Sequence, residues 1–159
     1  MQEDNIHLEQ EVSGLGMIVG SFVHSLDPKK RLTIPSVWRS QIGKPQSVYV
    51  MPDLHKPCLN LYPSSEMIRK LETLRQYAMG DEAAREAFRE MGEFSEVATW
   101  DSQGRIRVSD RLLEFAGLDD RVVLVGALDR IELWSLENRP QKKGVDQDAL
   151  RRSWDQVKM

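Results

Sequence analysis

The chain has 159 residues, 40% of them apolar and 30% charged, and a formal net charge of −3. That balance fits a globular protein with enough chain to bury a core. No apolar run is long enough to cross a membrane, the start lacks the basic-then-apolar pattern of a secretory signal, and the single cysteine, Cys58, excludes an intrachain disulfide and fits a reducing cytosol.

In chain order, residues 1–16 are polar and acidic, with Glu3, Asp4, Glu9 and Glu11. They are expected to be a flexible tail that neither packs nor contacts phosphate. From Met17 the pattern alternates: Phe22, Val23 and Leu26 precede the turn D-P-K-K-R, Asp27 to Arg31, and Leu32 and Ile34 follow it. This predicts two strands joined by a tight turn. An Asp opening such a turn can accept from the backbone N–H two residues on, and its carboxylate can hold the returning Arg in a bidentate pair. Pro35 and Gly43 frame a helix over about 36–42, Pro at its first position and Gly ending it with positive φ. Strands at 47–51 and 59–62 complete the unit. Ser64 or Ser65 can then cap a helix to about 79, with Met67, Leu71, Leu74 and Ala78 on one face. Asp81 caps another that stops at Gly92, with Ala84, Ala87, Phe88 and Met91 aligned. These stripes read as packing surfaces or as a meeting face for another subunit.

The unit then recurs at an offset of 74 residues. D-S-Q-G-R, Asp101 to Arg105, repeats the turn; Val97, Ile106 and Val108 stand where Val23, Leu32 and Ile34 stood. Gly104 occupies the position expected to need positive φ, and the first copy carries Lys30 there, at a cost in backbone strain. A helix over about 111–116 is capped by Ser109 or Asp110 and closed by Gly117. Strands at 121–125 and 130–134 end the copy. The organisation expected is a tail (1–16), a first repeat (17–63), a helical insert (64–93), a second repeat (94–136) and a C-terminal linker with a weak helix (137–159). That linker is basic, with Lys142 and Lys143, and its helix over 146–157 shows a thin stripe of Leu150, Trp154 and Val157.

Metal, phosphate-loop and nucleophile-elbow motifs are absent, and His7, His24 and His55 are scattered. Asp27 and Asp101 each have an Arg four residues on, which keeps them ionised and suits structure over proton transfer. An enzyme is not expected, nor a cofactor or a metal site. The cations are better placed. Lys29, Lys30 and Arg31 cluster at the first turn, Arg105 and Arg107 at the second, and Arg39 and Arg111 follow on the short helices. Paired basic turns suit duplex DNA, and Arg is shaped for the guanine edge. Asp27, Asp101 and Gly104 are the expected turn-structuring residues. The runner-up reading is an oligomeric protein-binding scaffold or antitoxin-like partner binder.

The duplicated D-x-x-x-R turn in S-L-D-P-K-K-R-L-T-I-P and W-D-S-Q-G-R-I-R-V, with L-Y-P at 61–63 and G-L-D-D-R-V-V-L-V-G-A-L-D-R-I-E-L-W at 117–134, resembles the MraZ family over about residues 17–136. The resemblance implies an α+β fold of two tandem AbrB/MazE-like swapped-hairpin units forming a pseudo-symmetric β-barrel, with inserted and C-terminal helices. It also implies a cytoplasmic, nucleoid-associated bacterial regulator of the division and cell-wall genes, a ring-shaped homo-oligomer on short direct repeats in promoter DNA, with no membrane role. The family motif falls on Asp27, Arg31, Asp101 and Arg105. Lys30 departs from the family's usual Gly, and residues 1–16 precede its usual start near Met17.

Overall fold

A computed structural model describes residues 16–43, 46–140 and 144–157. The expected tail 1–16 thus lies outside the described residues except for Gly16, and so do Lys142 and Lys143 of the basic linker. Among the described residues the chain forms eight strands and five helices, an α+β arrangement. The first half supplies β1 (Ser21–Ser25), β2 (Arg31–Thr33), α1 (Ser36–Ile42), β3 (Ser47–Pro52) and β4 (Leu59–Pro63). The insert is α2 (Ser64–Ala78) and α3 (Glu82–Phe94). The second half repeats the first with β5 (Glu96–Thr99), β6 (Arg105–Arg107), α4 (Asp110–Ala116), β7 (Arg121–Gly126) and β8 (Ile131–Ser135), and α5 (Gln147–Val157) follows.

The halves do not fold side by side; they exchange strands. The main sheet runs β1-β7-β8-β4-β3-β5, and β2 pairs only with β6. Each half keeps its last two strands together and sends its first strand to the other half: β1 lies on β7 with Val23 opposite Val123, and β5 lies on β3 with Val97 opposite Tyr49. The β4–β8 pair at the centre closes the two halves against each other, Leu59 on Leu133 and Leu61 on Ile131. Exchanging the two copies reverses the strand order onto itself, so the molecule has a pseudo-two-fold axis through β4–β8 and β2–β6.

The expected closed barrel is corrected here: β1 and β5 are free edges of an open sheet among the described residues. The reason is the length of the ribbon. Pro35, which has no N–H, opens α1 two residues beyond β2, and Ser109 caps α4 two residues beyond β6. Only three residues per strand are left to pair, too few to ladder onto both edges.

The core lies between the sheet and a lid made of the ribbon, α1 and α4. Leu32 and Ile106 face each other across the ribbon with no exposure, over Val48, Val50, Leu61, Val122, Leu124 and Leu133. Trp38 of α1 fills the place that Leu112 of α4 fills in the other copy, and its indole N–H donates to the Val19 carbonyl at 2.8 Å. Gly117 ends α4 in the left-handed conformation and Gly43 ends α1 at φ 73°. Two local expectations are revised. Ser64 does not cap α2; it is the first helical residue, and its hydroxyl bonds that of Ser47 at 2.8 Å. Gly92 does not stop α3, because it takes a helical conformation in a solvated turn and the helix runs on to Phe94.

Candidate nucleic-acid interface

The two Asp–Arg turns are built alike, bond for bond. In the first, the Asp27 carbonyl accepts from Lys30 N–H at 2.9 Å, and Asp27 N–H donates to the Arg31 carbonyl at 3.0 Å. Asp27 Oδ1 accepts from the N–H groups of Lys29 (2.9 Å) and Arg31 (2.8 Å), and Oδ2 from Arg31 Nε at 2.6 Å. In the second, Asp101 accepts from Gln103 N–H (2.9 Å), Arg105 N–H (3.0 Å) and Arg105 Nε (2.9 Å). The expected bidentate pair is therefore replaced. One carboxylate oxygen serves the backbone and the other holds a single guanidinium nitrogen, because the turn's own N–H groups compete for the same acceptor. Both carboxyls are held below their ordinary range. The main cause is the backbone N–H of the returning Arg, with its guanidinium adding to the effect against some desolvation.

The positive-φ position falls where the sequence places it. Lys30 has φ 64° and Gly104 has φ 78°. Lys30 therefore adopts the same turn as glycine, and the departure from the family residue leaves the backbone unchanged.

The ribbon turns these two loops into one surface. Leu32 and Ile106 point inward, so Arg31, Thr33, Arg105 and Arg107 share the outer face. Arg31 is directly opposite Arg107, and Arg105 opposite Thr33. The two turns enter from opposite ends, separated by about 7 Å of strand. Arg31 and Arg105 are each fixed through Nε, and among the described residues their terminal nitrogens make no hydrogen bond, nor does the Arg107 guanidinium. Five cations, counting the exposed Lys29 and Lys30, thus gather around two carboxylates.

Arg39 and Arg111 have other work. Arg39 Nε donates to the Ile34 carbonyl at 3.1 Å and its guanidinium lies over Gly104, where a Cβ would overlap it. Arg111 reaches the Glu93 carbonyl at 3.1 Å and stacks on Phe94, tying α4 to the end of α3. His24 lies on the β1 edge strand beside Phe22.

A second polar cluster, at the opposite side of the sheet, was not signalled by any motif. Asp53, Cys58 and Glu132 bring potential donor atoms within 4.8 Å of one another. Their valences are already used. Asp53 accepts from Asn60 and from the backbone of His55 and Lys56, and Glu132 accepts from Arg130 and Trp134. Cys58 is fully buried, and burial, aided by the Asp53 and Glu132 charges, pushes its thiol up to about 12.

Residues 95–139 match the family model described as "MraZ protein, putative antitoxin-like". The chain is 36% identical over 121 residues to the transcriptional regulator MraZ of Lachnoclostridium phytofermentans, covering 76% of this chain and 83% of the relative. It is 34% identical over 122 residues to the protein of that name from Leuconostoc mesenteroides, covering 77% and 83%. The chain belongs to the MraZ family. A longer match to the MraZ of Clostridium acetobutylicum, 29% identical over 136 residues, spans 84% of this chain and 94% of the relative. These MraZ relatives carry regulator names, not enzyme names, which agrees with carboxylates committed to turns.

Proposed function

We propose that this chain is a sequence-specific DNA-binding transcriptional regulator, acting in the cytoplasm at the nucleoid on the division and cell-wall gene cluster. The observation that carries the reading is the outer face of the β2–β6 ribbon, where Arg31, Arg105 and Arg107 are displayed by Asp-braced turns. A two-stranded ribbon fits the major groove, and a guanidinium braced at Nε keeps its two terminal nitrogens for the guanine edge. Lys29 and Lys30 flank it for phosphate. The regulator names of the relatives support the same reading. In the finer form, residues 17–63 and 94–136 are AbrB-like swapped-hairpin halves, 64–93 an insert that carries assembly, and the protein a ring homo-oligomer on short direct repeats. The strand exchange between halves supports the first of these.

The test is a gel shift with DNA from upstream of the protein's own gene, paired with size-exclusion light scattering, on wild type and Arg31→Ala. One lost base contact weakens binding by about 1–3 kcal/mol per site, and across linked repeats the loss multiplies. Specific binding is expected to vanish while the assembly mass is kept. Wild-type affinity should also fall steeply with salt. Wild-type affinity in the variant would move the protein-binding alternative, favoured by the antitoxin-like family description, to the front.

A further inference from the structure

Arg39 comes from the helix of one half and meets the turn of the other. Its Nε donates to the Ile34 carbonyl at 3.1 Å, and the Ile34 N–H donates to the Gly104 carbonyl at 2.9 Å. One backbone residue thus ties α1 to the second turn. The corresponding bond of the other copy, from Val108 N–H to the Lys30 carbonyl, is longer at 3.4 Å. Bracing Ile34 uses a single nitrogen of Arg39. Among the described residues its terminal nitrogens make no hydrogen bond and its guanidinium forms no ion pair.

The place that the guanidinium occupies is kept open by glycine. A Cβ at Gly104 would overlap Arg39 Cζ, Nε and Nη1. The two turns match bond for bond, with φ 64° at Lys30 and 78° at Gly104. The Lys30 side chain therefore leaves the first turn from the position where the Arg39 guanidinium lies on the second. The exchange is reciprocal. At the repeat offset of 74, Lys30 corresponds to Gly104 and Arg39 to Leu113. Lys30 is exposed and Leu113 buried, whereas Gly104 is buried and Arg39 half-buried. Each turn thus has one cation at this place. In the first the turn carries it, and in the second the helix of the other half supplies it.

We propose that Arg39 is a sixth cation of the DNA-binding face, taking at the second turn the backbone phosphate that Lys30 takes at the first. This rests on the reading of the ribbon as a DNA-binding face and adds a residue to it. A guanidinium held at Nε keeps two nitrogens for the oxygens of one phosphate, and such contacts set register and orientation on the duplex. The two ends of the ribbon stay distinct, because Lys29 has the neutral Gln103 as its counterpart.

The experiment uses full-length protein and DNA from upstream of its own gene, titrated by gel shift at several salt concentrations. Arg39→Gln keeps a donor for the Ile34 carbonyl and removes the charge. Its binding is expected to weaken, and the slope of log affinity against log salt to fall by about one per bound copy. Arg111→Gln makes the same change of net charge on α4, where the guanidinium is taken up by Glu93 and Phe94, and should leave the slope unchanged. Arg39→Ala combined with Gly104→Lys moves the first turn's arrangement onto the second and should return the wild-type slope, a rescue that an arginine serving the fold alone would not allow. Phenylglyoxal labelling of wild type, read by mass spectrometry, depends on no variant. Arg39 should be labelled in the free protein and protected in the complex, with Arg111 labelled alike in both. The proposal is overturned if Arg39→Gln folds and keeps the wild-type slope, if the double variant fails to restore a lowered slope, or if DNA leaves the labelling of Arg39 unchanged. In each of these cases wild type still shifts the DNA, and the reading of the ribbon stands. A wild type that shifts no DNA removes that reading and the role of Arg39 together.

Discussion

Lys30 shows how one side chain can oppose its own backbone. It sits at φ 64°, in the conformation that Gly104 adopts without strain in the other copy. A left-handed conformation costs a non-glycine residue roughly 1–2 kcal/mol, and glycine returns part of this through the freedom of the unfolded chain. Lys30→Gly is therefore expected to stabilise the protein by up to about 1 kcal/mol, seen as a higher urea midpoint, while weakening DNA binding and lowering its salt dependence by the loss of one cation. A variant that gains stability and keeps its affinity would remove Lys30 from the interface. The turn aspartates give a pH effect. Their folded-state pKa values are depressed, so their contribution is full above the unfolded carboxylate range and is lost as pH falls from about 4 through the lower folded values. Thermal melts should show Asp101→Asn less stable than wild type at neutral pH, with the gap closing under acid. Lys29→Ala, by contrast, should stay near wild type throughout. A gap that does not narrow in acid would show that the Asp101 charge contributes nothing to the turn.

Elements were legible in the sequence wherever a local residue forces a local shape. Asp27 and Asp101 accept the N–H groups two residues on, Gly104 takes positive φ, Gly117 ends α4 and Asp81 caps α3, because a turn or cap is decided within a few residues; only the bidentate Arg pair gives way to the backbone. What was not legible is pairing. Phe22 and Val23 have the residue types of a strand, but nothing in them says that the partner is β7, a hundred residues on. The open sheet was missed for the same reason: closure depends on where α1 and α4 begin relative to distant edges. Ser64 reads as a cap until Ser47, on another strand, takes its hydroxyl. Arg39 reads as one more cation until the second turn comes beneath it. Burial differs between elements as sharply as pairing does. In β7, Val122, Val123 and Leu124 are buried, while α3 buries nothing. Hydrogen–deuterium exchange should show α3 amides exchanging orders of magnitude faster than those of β7 and β8. Equal protection would mean that the insert is part of the cooperative core.

On the scale of the whole molecule, each half is completed by a strand from the other, so neither half has a full set of partners alone. The axis that relates them runs through the ribbon, and there the two copies differ. One end of the ribbon carries Lys29 and Lys30, the other Gln103 and Gly104. A body with a true two-fold reads the same sequence from either side and calls for a palindrome. This ribbon has a head and a tail. On DNA it would face one way along the groove, and copies set in a row would all face that way. Reversing one repeat of a direct-repeat operator, with base composition and spacing kept, should therefore weaken binding in a gel shift about as much as deleting that repeat. An operator indifferent to the reversal would mean that the lysines and the glycine at the two ends are read alike.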